Sequence, residues 1–417
     1  YPHQGRGGID MLIESLTHQG LGRTADGQFI PRTLPGEEIG LRDDGSAQIL
    51  TPSPDRVAPP CRHFKTCGGC AMQHAADPFV AHWKAGIVTR ALAAHGINID
   101  IRAVHTSPPH TRRRAKFAGK RTKNGAIVGF HTRASDTMIA VPDCQLLLPS
   151  LRAAIPVLEE LTVLSASRKA EIALTVTDSK AGLDVWVESG KPLDGPLRIT
   201  LAEFAQRHGF ARLAWGDEPV VTINAPSQRF GRADVTPPAG AFLQATREGE
   251  MQLLAAARDA TKGADRIVDL FSGCGTFSLP LAETAMVTAV ESSASMLAVL
   301  DQGWRRAQGL KRVKTETRDL FRRPLEPDEL RYFDAAVIDP PRAGAQAQIA
   351  TLARSEIPRI AMISCNPVTF ARDAKVLVDA GFVIDWIDVV DQFRWSAHVE
   401  VAAAFTRDKM RPLNGAF

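Results

Sequence analysis

The spacing of apolar residues changes partway along the chain, and the change marks off its C-terminal part. From Arg266 onward, apolar runs of about five residues alternate with longer stretches in which apolar residues recur at helical spacing. The runs are typical of strands buried on both faces. They predict strands at 267–271, 287–290, 313–317, 335–338 and 360–364. Strands that alternate with helices predict an open α/β sheet, in which ligands bind at the carboxyl ends of the strands.

The chain before Arg266 has a different pattern, which predicts two further units. Residues 1–54 combine short apolar runs with closely spaced glycines, a pattern that predicts a small β-barrel. Residues 55–240 predict a central α+β domain that includes an amphipathic helix at about 79–95. The α/β part then occupies 241–417. The predicted fold class is therefore multidomain α/β.

Length, composition and charge are compatible with this division. A chain of 417 residues can hold two or three domains that each bury a core. No apolar run approaches the ~20 residues that a membrane span needs, and the N-terminus lacks a signal-peptide pattern. We therefore expect a cytoplasmic protein, a monomer with no membrane partner. The net charge of +4 permits a nucleic-acid partner but does not by itself indicate one.

Three of the six cysteines lie within ten residues, at a spacing that indicates a metal site. Cys61, Cys67 and Cys70 form the pattern Cys-x5-Cys-x2-Cys, and two glycines before Cys70 allow the backbone to fold tightly around a cofactor. Cys144 would supply a fourth thiolate. An iron–sulfur cluster is favoured over structural zinc, whose sites usually pair two close cysteines with two more, and over free thiols.

A strongly basic strip follows at residues 112–123. It carries seven positive charges and the aromatic Phe117 in a predicted hairpin. Such a strip could neutralise several phosphates, and Phe117 could stack on a base. The competing interpretation is a solvated sheet edge whose charges prevent aggregation.

The start of the α/β part has the features of a nucleoside-binding site. Residues 272–276 form a turn of small residues between the first strand and a helix predicted at 277–283, as in Rossmann-like folds. Glu291 ends the second strand, about twenty residues after Asp269. Rossmann-like folds place an acid at this position, where it accepts hydrogen bonds from both ribose hydroxyls. Asp319 follows the third strand, where it could meet an adenine amino group. A third, phosphate-contacting glycine and a P-loop are both missing, which favours S-adenosylmethionine over NAD.

The fifth predicted strand brings Cys365 to the same edge of the sheet. An Asn-Pro pair follows Cys365, which predicts that a helix begins at once. A thiol just before a helix N-terminus gains from the positive end of the helix dipole, which favours the thiolate. Cys365 is therefore a candidate nucleophile, although an isolated cysteine at the end of a buried strand is more often a small core residue.

As a set, these motifs resemble those of the 5-methyluridine RNA methyltransferases, specifically the iron–sulfur branch that acts on ribosomal RNA. The matching motifs run through almost the whole chain and are specific when taken together. They are Cys61-x5-Cys67-Gly-Gly-Cys70, Phe242-Leu243-Gln244, the DLFSGCG run at 269–275, Asp339-Pro-Pro-Arg342, Ser364-Cys365-Asn366-Pro367 and His398-Val399-Glu400. More weakly, residues 20–23 and 34–37 resemble the TRAM module, an OB-like RNA-binding barrel; the alternative is a capping β-domain without a ligand.

The resemblance implies roles for individual residues. Cys365 would be the nucleophile and Glu400 the base. Six residues would contact the methyl donor S-adenosyl-L-methionine or its surroundings: Gln244, Phe271, Thr276, Glu291, Asp319 and Asp339. A [4Fe-4S] cluster would be ligated by Cys61, Cys67, Cys70 and Cys144. The helix at about 79–95 would pack with the catalytic domain, and the RNA partner would be 23S ribosomal RNA, with transfer RNA as the alternative.

The residue types suit methylation of uracil. Carbon 5 of uracil is too weak a nucleophile to attack a sulfonium methyl, so a thiolate adds at carbon 6 and makes carbon 5 enolate-like. A carboxylate then removes the proton from carbon 5, and the thiolate is eliminated. A non-catalytic RNA-binding or ribosome-assembly factor is the alternative from another class. The presence of both Cys365 and Glu400 argues against it.

Overall fold

The computed structural model describes residues 11–407, so the ends of the predicted N-terminal and C-terminal units, 1–10 and 408–417, lie outside the described residues. It begins with a five-stranded antiparallel sheet in the order β3-β2-β1-β4-β5. Its strands are β1 (Met11–Leu16), β2 (Leu21–Thr24), β3 (Phe29–Pro31), β4 (Glu38–Leu41) and β5 (Ala47–Thr51). Ile13, Ile30 and Ile39 form its small core, because alternate residues of a strand point to the same face.

The next part of the chain forms a helix, a single strand and then a seven-stranded mixed sheet. The helix and strand are α1 (Asp77–Ala93) and β6 (Ala103–Thr106). The sheet consists of β7 (Arg114–Thr122), β8 (Gly125–His131), β9 (Met138–Ala140), β10 (Ile172–Ser179), β11 (Gly182–Glu188), β12 (Arg212–Trp215) and β13 (Glu218–Thr222). Its helices are α2 (Pro149–Ala153), α3 (Ile155–Ser165) and α4 (Gly195–Arg207). The strand order β13-β12-β11-β10-β7-β8-β9 places the β7–β8 hairpin inside the sheet.

The basic strip 112–123 is more buried than its charge suggests, because most of it forms β7, one face of which packs against α3. Phe117 is 1% exposed and stacks on Phe130, with ring centroids 5.2 Å apart. The prediction that Phe117 stacks on a base is therefore wrong. The alternative of a solvated edge is wrong as well, since β7 has a strand on each side. Lys116 and Lys120, which alternate with the buried positions of β7, are exposed.

The C-terminal part contains a two-stranded hairpin and an alternation of strands with helices. The hairpin consists of β14 (Gln228–Phe230) and β15 (Ala233–Val235), and α5 (Arg247–Ala260) follows it. The strands that come next are β16 (Arg266–Leu270), β17 (Met286–Glu291), β18 (Val313–Thr317), β19 (Ala335–Ile338), β20 (Arg359–Ser364), β21 (Val383–Asp391) and β22 (Glu400–Thr406). The helices between them are α6 (Ser278–Leu281), α7 (Ala294–Arg306), α8 (Pro327–Leu330), α9 (Gln346–Arg354) and α10 (Pro367–Asp379).

These strands form an eight-stranded sheet in the order β18-β17-β16-β19-β20-β22-β21-β6. The five strands β16 to β20 are parallel and coincide with the five predicted strands, whereas β22 is antiparallel to both of its neighbours. Of the helix predicted at 277–283, only Ser278–Leu281 is helical. Every residue of β19 is buried, as expected for a parallel strand covered on both faces.

The sheet also includes a strand from outside the range 241–417. β6 pairs in parallel with β21, and α1 packs against α10. Apolar residues of α1, among them Val80, Trp83 and Val88, share one hydrophobic core with the helices α9 and α10. Within residues 11–407, none of the helices has the length and apolar character needed to cross a bilayer.

Candidate active site

Five parallel strands of the large sheet end at one edge, and each carries a candidate side chain there. These are Phe271 after β16, Glu291 at the end of β17, Asp319 after β18, Asp339 after β19 and Cys365 after β20. Because β22 runs antiparallel to β20, its first residue, Glu400, lies at the same edge. The topology therefore gathers residues from six separate strands.

These side chains line one cavity of about 460 Å³, a volume suited to a small-molecule ligand. Its walls include all eight residues that the sequence analysis assigned to catalysis or to the methyl donor: Gln244, Phe271, Thr276, Glu291, Asp319, Asp339, Cys365 and Glu400. Phe242, 60% exposed, and Arg342 also line it.

The turn after β16 has a tight, uncommon backbone conformation at the wall of the cavity. Phe271 has φ +64°, an uncommon conformation for a residue with a side chain, and Gly273 and Gly275 have φ +54° and +91°. The N–H of Gly273 donates to Glu291 Oε2 over 3.2 Å. Strain of this kind is concentrated at functional sites. The turn and the acid of the next strand are thus held together at the cavity wall.

Backbone N–H groups orient the two outer carboxylates. Glu291 Oε1 accepts from the N–H of Ser293 at 3.0 Å, and Asp319 Oδ1 accepts from the N–H of Phe321 at 3.0 Å. Each carboxylate oxygen can accept further bonds, so both groups can also receive hydroxyl or amino donors of a ligand. The rings of Phe271 and Phe321 lie 5.4 Å apart beside them. This part of the cavity suits a nucleoside.

Cys365 lies between the last residue of β20 and the cap of α10. The Asn366 side chain accepts from the N–H of Val368 at 3.1 Å and caps the helix, while its Nδ2 donates to the Arg342 carbonyl at 2.9 Å. Burial raises the pKa of the Cys365 thiol to about 11, helped by the charges of Glu400 and Asp339, whereas Arg342 lowers it. Burial therefore opposes the thiolate in the protein alone, so the effect expected from the helix end stays a prediction.

Two buried carboxyl groups face this thiol. Burial raises the pKa of Glu400 to about 7. Burial and the charge of Glu400 together raise the pKa of Asp339 to about 8. A carboxyl group with a pKa near 7 is suited to take up a proton from a carbon acid at neutral pH.

The buried lysine Lys84, which the sequence analysis did not single out, organises the loop that leads to Glu400. Its Nζ pairs with Asp391 and donates to the backbone carbonyls of His398 at 2.9 Å and Phe393 at 3.1 Å. These contacts hold both ends of the loop. The sequence did contain a sign of a buried charge. Lys84 lies four residues after Val80, which places a charged side chain on the apolar face of α1.

The loop with Cys61, Cys67 and Cys70 lies beside the segment that contains Cys144. His63 pairs with Asp143 over 2.8 Å, which joins the two segments. Burial raises the pKa of all four thiols, and the charge of Cys144 contributes to the rise at Cys61 and Cys70. Within residues 11–407, however, no group of three or more His, Cys, Asp or Glu side chains is arranged to hold a metal ion.

The same cysteine loop contacts the loop before Glu400. The backbone N–H groups of Ala71 and Met72 both donate to the carbonyl of Trp395, over 2.6 and 2.9 Å. Trp395 has φ +59°, and its ring is buried against Phe64 and Cys70. The loop that positions Glu400 is thus supported by α1 on one side and by the cysteine loop on the other.

The buried carboxyl groups predict that stability falls as pH rises from about 4 to about 8. Burial raises the pKa of Asp269 and Glu400 to about 7 and of Asp339 to about 8, from ordinary values of 3.8 or 4.5. Between about pH 4 and about pH 8, the folded state therefore binds more protons than the unfolded state. The stabilisation from these carboxyl groups is fully present below this range and is lost above it. Thermal unfolding of the protein should occur at lower temperature at about pH 8.5 than at about pH 6. Asp339→Asn should reduce this slope, and an unreduced slope would contradict the assignment.

Comparison with known proteins agrees with this geometry. The model of the tRNA (uracil-5-)-methyltransferase family matches residues 234–408. An uncharacterized RNA methyltransferase of Brucella suis is 42% identical over 395 residues, 94% of this chain and 95% of the relative. The 23S rRNA (uracil(1939)-C(5))-methyltransferase RlmD of Hahella chejuensis is 30% identical over 445 aligned residues, 96% of this chain and 97% of the relative.

A solved structure shares the fold. The tRNA (uracil-54, C5)-methyltransferase of Pyrococcus abyssi, in complex with S-adenosyl-L-homocysteine, superposes with a TM-score of 0.73 at 22% identity, over 95% of this chain and 99% of that one. Fold and cavity together define an S-adenosylmethionine-dependent methyltransferase. The chain belongs to the RNA (uracil-5-)-methyltransferase family. Its substrate is RNA, and it methylates uracil at carbon 5.

Proposed function

We propose that this enzyme methylates a specific uridine of 23S ribosomal RNA through a covalent bond between Cys365 and carbon 6 of the base. The observation that carries the proposal is the single cavity in which Cys365 and Glu400 lie beside the nucleoside-binding turn. The end-to-end match to a relative named as a 23S rRNA enzyme supports the ribosomal substrate.

The cavity offers a fitting set of groups for the methyl donor. Glu291 would accept the ribose hydroxyls and Asp319 the adenine amino group. Gln244, Phe271, Thr276 and Asp339 would surround the rest of the donor. Bound S-adenosylmethionine supplies an electrophilic methyl group and a positive charge on sulfur.

The first step belongs to Cys365. Its thiol has a pKa near 11 in the protein alone, so forming the thiolate depends on positive charge at the site. Arg342 is the cation of this chain that lowers that pKa. The thiolate adds to carbon 6 of uracil, and negative charge moves to carbon 5 and oxygen 4, where Arg342 can stabilise it. The target base must first leave its stack to reach a cavity of this kind.

The last step belongs to Glu400. Once carbon 5 carries the methyl group, the Glu400 carboxylate takes the proton from that carbon. The electrons of the broken C–H bond form the double bond between carbons 5 and 6. The bond from carbon 6 to the Cys365 sulfur breaks, and the thiolate returns to its starting state.

Methylation of defined RNAs tests the substrate. The purified enzyme is incubated with S-adenosylmethionine carrying a labelled methyl group and with either ribosomal or transfer RNA that lacks uracil-5 methylation. The expected result is one labelled uridine in 23S rRNA, located by nuclease digestion and mass spectrometry. Label in transfer RNA alone would refute the ribosomal assignment, and label in neither RNA would refute the proposed function.

We further propose that Cys61, Cys67, Cys70 and Cys144 ligate a [4Fe-4S] cluster. The donor set fits in two respects: the four thiols are close enough to influence one another's pKa, and the largely buried guanidinium of Arg112 lies near Cys70 and Cys144. A buried cation would offset the negative charge that four thiolates bring. Three cysteines within ten residues and a distant fourth depart from the usual spacing of structural zinc sites, which pair two close cysteines with two more, and this spacing favours a cluster over zinc.

Iron analysis tests the cluster. Protein purified without oxygen should contain iron and acid-labile sulfide in equal amounts. Cys70→Ser should lose both and unfold at lower temperature, because the cluster joins segments distant in sequence. Cys274→Ser, at a buried cysteine outside this set, should keep the iron. Zinc in place of iron, or no metal in the wild-type protein, would contradict the proposal.

We also propose a division into three domains at 1–54, 55–240 and 241–417, with α1 and β6 contributed by the second range to the large sheet. The five-stranded N-terminal sheet would be a TRAM-like barrel that contacts RNA, for which the exposed Phe29 on β3 offers a stacking surface. A monomeric state and a cytoplasmic location stay predictions of the sequence analysis.

A further inference from the structure

Gln392 is a buried amide beside the proposed base. It comes directly after β21, and only 2% of its surface is exposed. β21 and β22 pair with Val390 opposite Glu400, so residue 392 lies just beyond the last pair. A buried amide has both donor and acceptor groups, which need partners.

The contacts of Gln392 fix the direction of its amide. Oε1 accepts from the N–H of Ala245 at 2.7 Å, which identifies the oxygen, because a backbone N–H cannot accept. Nε2 donates to Gln244 Oε1 at 2.6 Å. The Gln392 side chain also lies close enough to the Glu400 carboxyl to oppose the rise in the pKa of Glu400 that burial causes. The amide of Gln392 therefore contacts Gln244 and lies beside Glu400.

The same network continues to the other side of the cavity. Gln244 Nε2 donates to Asp339 Oδ2 at 3.4 Å. The first turn of α5 closes the space behind Gln392, since a β-carbon on Gly249 would lie 2.6 Å from Gln392 Cβ. Gln392 therefore has little freedom to move, and it connects the carboxyl group of Glu400 with the wall that holds Gln244.

We propose that Gln392 is a positioning residue for proton removal, which holds the Glu400 carboxylate in a fixed relation to Gln244 and so aims it at carbon 5 of the uracil. The inference rests on the proposed function. Glu400 takes the proton from carbon 5, the C–H electrons turn the single bond between carbons 5 and 6 into a double bond, and the electrons of the carbon–sulfur bond return to Cys365. Gln392 contacts the base Glu400 and needs no contact with the RNA.

The variant Gln392→Met tests the inference, because methionine has a similar volume and cannot donate. Methylation near neutral pH should fall by about 10- to 100-fold. Enzyme bound covalently to methylated RNA should accumulate on denaturing gels, since addition and methyl transfer precede the slowed step. The pH at which the rate rises should also shift upward, because Glu400 loses the neighbouring amide that lowers its pKa.

Ser107→Ala is the matched control. It removes a buried hydrogen bond of 2.7 Å between Ser107 and Thr246, two residues that do not line the cavity. This control should lower the unfolding temperature without changing the pH profile or the amount of adduct.

Three results would decide the inference. If Gln392→Met behaves like Ser107→Ala, the inference is overturned. If Gln392→Met does not fold, Gln392→Glu provides the same test, because it keeps the length of the side chain and the acceptor for the N–H of Ala245. This variant should shift the pH profile further upward. A wild-type enzyme without activity on any RNA would instead refute the proposed function.

Discussion

Replacing Cys365 with alanine is expected to abolish uracil methylation, with a loss of roughly 10⁴-fold or more. Without the thiolate, nothing adds to carbon 6 from the end of β20, and carbon 5 stays a weak nucleophile. Cys274, the other thiol that lines the cavity, follows β16 instead. Binding of S-adenosylmethionine, measured by calorimetry, should persist, because Glu291 and Asp319 are unchanged. The unfolding temperature should stay close to that of the wild-type protein.

Glu400→Gln should separate the two halves of the reaction. The amide cannot take the proton from carbon 5, so addition and methyl transfer should still occur and the covalent RNA–enzyme species should accumulate. Cys365→Ala should give no such species. A Glu400→Gln variant that turns over at the wild-type rate would remove Glu400 from its proposed role.

The second large effect is expected on stability. Lys84→Met should destabilise the protein by about 3–5 kcal/mol, because it leaves the Asp391 carboxylate buried without its ammonium partner. The loop from 392 to 399 also loses its two carbonyl contacts with Lys84. Chemical denaturation measures the change in the free energy of unfolding.

A double variant distinguishes the buried charge from the lost packing. Lys84→Met combined with Asp391→Asn removes the unpaired charge, so it should be more stable than Lys84→Met alone. It should not regain full activity, since the carbonyl groups of Phe393 and His398 still lack their donor. Equal stability of the single and double variants would show that the ion pair is not what holds the loop.

The features of the fold that were predicted best are those set by residues close together in the sequence. Runs of apolar residues located all five parallel strands, since strands covered on both faces are apolar throughout. Asn366 and Pro367 located the start of α10, because capping and a fixed proline φ act within one turn. The rule that strand ends meet at one edge located Glu291, Asp319 and Cys365. Gln244, Phe271, Thr276 and Glu400 instead followed from the family resemblance.

What the sequence could not predict depends on contacts between distant segments. β6 joins the large sheet by pairing with β21 near the other end of the chain. Phe117 is buried because its face of β7 packs against α3, a contact that its own alternation of residues does not reveal. The pKa of Cys365 is raised because packing removes water and brings Glu400 near. Gln392 follows β21, and no pattern in the sequence indicates that it lies beside Glu400.

The most direct test of the covalent mechanism uses RNA in which uridine is replaced by 5-fluorouridine. Fluorine cannot leave carbon 5 as a proton, so elimination stalls once Cys365 has added and the methyl group has been transferred. Enzyme purified without oxygen is mixed with S-adenosylmethionine and this RNA, then denatured and analysed by gel and mass spectrometry. We predict a methylated RNA adduct on Cys365 that is absent in Cys365→Ala. No adduct, despite measurable binding of S-adenosylmethionine, would contradict the mechanism.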